Sequence, residues 1–181
     1  MWHIPFLVLQ GDNKMINVKK LGVASMLVAI GVVTSAFYIP IGAAKCFPVQ
    51  SMINIIAGVF LGPAYAVEAA FATSTLRLLL GTGSMLAFPG SMIGALCCGL
   101  LYKYSQKLYL AYAGEVIGTG ILGALAAYPI VTMLMSKQAA LFAYVFPFII
   151  SSLCGSTIAI ILVGVLKRIK ILDQLKSNLE L

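Results

Sequence analysis

The chain has 181 residues, 61% of them hydrophobic and only 9% charged, with a net charge of +7 and a mean hydropathy of +1.04. Soluble domains carry about 25% charged residues, so this composition excludes a water-exposed surface and makes the lipid bilayer the solvent. The positive charge is no nucleic-acid signal, because the lysines and arginines sit mostly at the ends of apolar runs and form no patch interleaved with aromatics.

Residues 1–20 form an N-terminal segment in which WHIPFLVLQ lacks a basic n-region and a small-residue cleavage site. It reads as a cytoplasmic or interfacial stretch, or as a start placed ahead of the true one at Met15. Spanning about 30 Å of hydrocarbon takes roughly 20 mostly apolar residues. The first predicted helix runs from Leu21 to Tyr38, opened by Lys19 and Lys20 and closed by Pro40. Next comes the most polar and turn-rich interruption of the chain, Ile39–Asn54, with Pro40, Pro48 and the lone Lys45. A second, shorter helix covers Val49–Leu61 and stops at Gly62-Pro63. The third runs from Pro63 to Leu80, with proline at a helix start, where its missing N–H costs little. It ends at Gly81-Thr82-Gly83. The fourth, fifth and sixth cover Phe88–Tyr104, Leu108–Met135 and Ala139–Leu166. Residues 21–168 therefore read as one all-α integral membrane domain, a compact bundle of six transmembrane helices, followed by a basic tail at 169–181. Strands are not expected, because lipid leaves their edges without hydrogen-bond partners.

With six spans both termini share one side. That side holds Lys14, Lys19, Lys20, Lys103, Lys107, Lys167, Arg168, Lys170 and Lys176, against Lys45, Arg77 and Lys137 on the other. Positive charge accumulates on the cytoplasmic face, so both termini are expected there. Residues 39–49, the loop at 81–89 and the turn at 136–137 then face outward. Small residues at four-residue spacing (Gly90/Gly94, Gly114/Gly118, Ser151/Gly155/Ala159) predict that helices four to six pack closely.

Ionisable groups inside spans are costly and are functional suspects; here they are Glu68, Arg77 and Glu115. Arg77 reads either as a site cation or as an arginine reaching for the outer headgroups. Glu68 lies nine residues from it and on the opposite helix face at about 100° per residue, so the two are no ion pair. Glu115, beside Gly114 and Gly118, falls in a helix contact. Gln50 and Asn54 share one face of the second helix and offer uncharged donors and acceptors suited to a small neutral polar heterocycle. The alternative is that they simply bond neighbouring helices. Aromatics at the same depth, Tyr38, Phe47, Phe88, Tyr128, Tyr144 and Phe146, are candidates to stack on a ring. Four cysteines without metal spacing and a single histidine, His3, predict no metal site and no disulfide framework. No phosphate-binding loop, nucleophile elbow or zinc-protease motif occurs, so no cofactor and no enzymatic activity are expected, and uphill transport would draw its energy from a partner. No ring of charges or filter sequence supports a channel.

The strings AKCFPVQSMIN (44–54), LLLGTGSMLAFPGSMIGAL (78–96) and GEVIGTGILGALAAYP (114–129), with Leu61-Gly62-Pro63, resemble the ThiW family through most of residues 21–165. The resemblance implies a substrate-capture (S) component of an energy-coupling-factor transporter in the bacterial plasma membrane. It implies uptake of hydroxyethylthiazole, the thiazole precursor of thiamine, powered by a transmembrane T subunit and two cytoplasmic ATPases. It also places the ligand near the outer face; the residues themselves make Gln50, Asn54, Arg77, Lys45, Phe47 and Tyr128 the candidate site residues. S components often dock to the T subunit through Ala-x-x-x-Ala in helix one; the nearest fit here is Ser25-x-x-x-Ala29.

Overall fold

A computed structural model describes residues 18–41, 44–130, 132 and 144–168. Residues 1–17 of the N-terminal segment, the whole tail at 169–181 and the turn at 136–137 lie outside the described residues. Helix α1 (Val18–Val33) ends in a single tighter turn, Thr34–Ala36. A short hairpin follows, β1 (Ile39–Ile41) antiparallel to β2 (Ala44–Cys46), with Ile39 opposite Cys46 and Pro40 opposite Lys45. Then come α2 (Pro48–Phe60), α3 (Pro63–Leu79) and α4 (Ala87–Ser105). A fifth rod runs from α5 (Leu108–Ile117) through a π-helical segment (Gly118–Gly123) into α6 (Ala124–Pro129). Helix α7 (Val145–Arg168) closes the fold.

The helix boundaries follow from the punctuation in the chain. Pro48 and Pro63 each open a helix at its first turn. Between α2 and α3 the backbone turns sharply at Gly62, whose φ of +91° no side-chain-bearing residue adopts cheaply. Three helical stretches, Val18–Ala36, Leu108–Pro129 and Val145–Arg168, are long and apolar enough to cross a membrane alone, whereas α2 is apolar but shorter. The outer surface carries large exposed hydrophobics such as Val33, Leu79, Ile161 and Val165, while Arg77, Asn54, Glu115 and several serines are buried. Apolar outside and polar inside is the distribution that lipid as solvent demands.

Helix α2 is the centre of the bundle, packed against α3, α4 and α7 and burying Gln50, Ser51, Ile53, Asn54 and Ile55 among others. Close approaches depend on absent side chains. A Cβ on Gly118 would lie 2.9 Å from the Cα of Gly94, and one on Gly123 would lie 2.6 Å from the Cα of Gly90, so α4 and the fifth rod touch backbone to backbone. Gly155 of α7 packs instead against the Pro48 carbonyl, at the start of α2. The small-residue pattern of α7 thus serves the second helix as well as the fifth.

Two expectations are corrected here. The sequence predicts no strands, yet residues 39–46 form the hairpin; it lies between helix ends, where the argument from lipid-starved strand edges does not apply. The fifth helix, expected over Leu108–Met135 as one α-helix, carries a π-helical segment at Gly118–Gly123. The hairpin is held down by its second strand: the Cys46 thiol donates to the Pro147 carbonyl at 3.1 Å, and the Phe47 N–H donates to Ser151 Oγ at 3.0 Å.

Candidate ligand-binding site

The buried polar groups form one connected line of hydrogen bonds from α3 across α2 to the fifth rod. Arg77, in the last turn of α3, is 1% exposed. Its Nη1 donates to Gln50 Oε1 at 3.2 Å, and its guanidinium carbon lies 3.6 Å from the centroid of the Phe47 ring. Gln50 Nε2 donates to Asn54 Oδ1 at 3.1 Å, one turn along α2. Asn54 Nδ2 then donates to Glu115 Oε1 at 3.0 Å and to the Ser91 carbonyl at 3.1 Å. Thr119 Oγ1 stands 2.8 Å from Glu115 Oε1 and 3.1 Å from the Gly90 carbonyl, and its single hydrogen serves one of them at a time. Beside this line, Ser91 Oγ donates to the Ala87 carbonyl, which leaves Ser74 as donor in the 3.0 Å Ser74–Ser91 contact.

Above the line, under the hairpin, lies a cavity of about 390 Å³ counting its open mouth. Lys45 and Phe47 wall it from the hairpin side, Gln50 and Ser51 from α2, and Arg77 from α3. Leu86, Ala87, Gly90 and Ser91 line it at the start of α4, with Thr119 from the π segment and Phe148 and Ser151 from α7. A Cβ on Gly90 would come within 3.0 Å of the Phe148 ring, so the glycine gives that ring its place in the wall.

Of the residues singled out from sequence, Gln50, Arg77, Lys45 and Phe47 meet at this cavity. Asn54 lies one turn below it with both amide hydrogens in use, and orients Gln50 instead of facing the cavity. Tyr128 is half-buried in α6 and is not among the described lining residues. Phe146 is exposed, and Tyr144 packs with Leu86, Ala124 and Ala127. Arg77 does not reach outward: its guanidinium is buried inside the bundle, which removes the headgroup alternative. Glu68 is exposed on the far face of α3, as the nine-residue spacing predicts. Ser25 and Ala29 are exposed on α1, away from the cavity.

Sequence reasoning missed Ser91, Thr119, Phe148 and Ser151, and it left Glu115 without a partner. The signal available was the row of glycines at 90, 94, 114 and 118, which brings Glu115 and Thr119 onto α4. Lys45 is exposed, with Nζ 4.4 Å from the Tyr38 ring centroid. An exposed cation–π contact is worth about 0.5–1 kcal/mol. Lys45→Ala is therefore expected to weaken ligand binding by no more than about fivefold and to act mainly on the salt dependence of the association rate, measured by stopped-flow at two ionic strengths.

A line of buried polar groups thus lies beneath a small cavity in a chain whose outer surface is apolar. The family described as thiamine-precursor transporter protein (ThiW) matches residues 21–169. No curated protein and no solved structure matches the chain. The chain belongs to the ThiW family of thiamine-precursor transporter proteins.

Proposed function

We propose that this chain is the substrate-capture subunit of an energy-coupling-factor transporter and that it takes hydroxyethylthiazole, the thiazole precursor of thiamine, from outside the cell. The observation that carries the reading is the cavity under the hairpin, backed by the Arg77–Gln50–Asn54–Glu115 line. Six helical rods, nine cations against three and the family together favour a six-span bundle with cytoplasmic termini in the bacterial plasma membrane. The hairpin end then faces outward, and the hairpin with the loop after α3 acts as the lid. The chain carries no phosphate-binding loop, so a T subunit and two ATPases supply the energy, with the exposed Ser25–Ala29 face of α1 as the docking surface.

Calorimetry of the purified chain with hydroxyethylthiazole, thiamine and hydroxymethylpyrimidine tests the reading. Thiazole binding alone is expected. Asn54→Ala, which frees Gln50 to swing away from Arg77, is expected to weaken it by about tenfold, the cost of one or two buried hydrogen bonds. Glu68→Ala, on the exposed face, is expected to leave it unchanged. If none of the three compounds binds, the neutral-precursor reading fails, and a purely structural role in a membrane assembly becomes its rival.

A further inference from the structure

Arginine carries five N–H donors in a planar fork. In Arg77 the Nη1 corner is engaged with Gln50, and one face of the plane rests on Phe47. The remaining edge, Nε and Nη2, has no hydrogen-bond partner among the described residues, although both nitrogens are sealed from solvent. Burial of a cation with unmatched donors is unfavourable, and nothing in the neighbouring network relieves it. Glu115 is separated from Arg77 by the two amides of Gln50 and Asn54. Gln50 offers its only oxygen to Nη1, and Asn54 Oδ1 already accepts from Gln50. Among the described lining residues are two cations, Arg77 and Lys45, and no aspartate or glutamate.

The Nε–Nη2 edge is a pair of parallel donors, the geometry that accepts two oxygens of one carboxylate or phosphate. A neutral alcohol presents a single oxygen and answers half of it. We infer that the ligand of this site carries a paired-oxygen anion, a phosphate ester or a carboxylate, which docks on the Nε–Nη2 edge of Arg77. The inference rests on the capture reading above, keeps its thiazole ring, and replaces the neutral alcohol with an anionic derivative of that ring as the preferred ligand.

The test titrates the full chain in nanodiscs with hydroxyethylthiazole, its phosphate ester, the corresponding thiazolylacetate and inorganic phosphate. At least one of the two anionic thiazoles is expected to bind about tenfold or more tighter than the alcohol, and which one identifies the anion. Arg77→Lys keeps the charge and loses the fork, and is expected to reduce that preference to about threefold or less. Alcohol binding equal to or tighter than both anions overturns the inference and leaves the capture reading standing. Inorganic phosphate binding as tightly as the ester supports the fork assignment and overturns the thiazole as ligand. Binding by none of the four overturns both. The comparison among ligands on the unmodified chain decides the matter even if Arg77→Lys fails to fold.

Discussion

Glu115→Ala is expected to destabilise the protein by about 3 kcal/mol, the typical penalty for stranding a buried polar partner and opening a hole beside it. Glu115 is fully buried, and its Oε1 is the common acceptor for Asn54 Nδ2 and Thr119 Oγ1. Truncation leaves one amide hydrogen of Asn54 with no acceptor, while Thr119 can turn to the Gly90 carbonyl at 3.1 Å. The stranded group is therefore Asn54. Its side chain fixes Gln50, and Gln50 is the one described side chain that accepts from Arg77. A loosened Asn54 passes to the cavity through two hydrogen bonds, so ligand affinity is expected to fall by about tenfold with the stability. Glu115→Gln is the informative companion. Its amide oxygen can take the same two donors, and the expected loss is about 1 kcal/mol or less. Chemical unfolding in detergent micelles, read by near-ultraviolet circular dichroism, measures both. Equal damage from the two substitutions would show that the acid itself, and not an acceptor at that point, is what the network needs.

The helical class was legible because the apolar runs are long and their punctuation is chemical. Pro48, Pro63, Gly62 and the glycines after Leu80 mark ends that the structure places within about two residues of expectation. The shared face of Gln50 and Asn54 was legible for the same reason, since a four-residue spacing fixes azimuth within one helix. What crosses between helices was not. Asn54 meets Ser91 and Glu115, 37 and 61 residues away, and no periodicity in α2 states which rods flank it. The two amides therefore looked free to serve a ligand, when Asn54 is fully occupied by protein and Gln50 retains one hydrogen. Tyr128 shows the matching limit. Its depth along the fifth rod could be estimated, but the π segment ahead of it shifts the winding by which its direction would be reckoned. The hairpin escaped because three-residue strands carry too little alternation to stand out from a proline-rich loop.

Gly94→Ala is expected to cost about 2 kcal/mol, although the change adds one methyl group to a helix that otherwise favours alanine. A Cβ at this position collides with Thr119 Oγ1 and comes within 2.8 Å of Glu115 Oε2 and 3.1 Å of its Cδ. The helix-propensity gain of up to about 1 kcal/mol works in the opposite direction, so packing has to outweigh it for the prediction to hold. Glu115 cannot retreat without giving up Asn54, and the Thr119 hydroxyl cannot rotate without leaving both Glu115 and the Gly90 carbonyl. Thr119→Ala removes the worst of the collision. Alone it is expected to cost about 1 kcal/mol, the worth of one buried hydrogen bond. Combined with Gly94→Ala it is expected to cost less than the sum of the two by at least about 0.5 kcal/mol, because residues in contact couple. Strict additivity in that cycle would mean that α4 and the fifth rod separate as rigid bodies under the added methyl. In that case the two-rod contact, and not the seat of Glu115 against Gly94, would be what the glycine protects. A coupled result instead makes Gly94 the seat of the Glu115 carboxyl, the acceptor that holds Asn54 and stands two hydrogen bonds from Gln50.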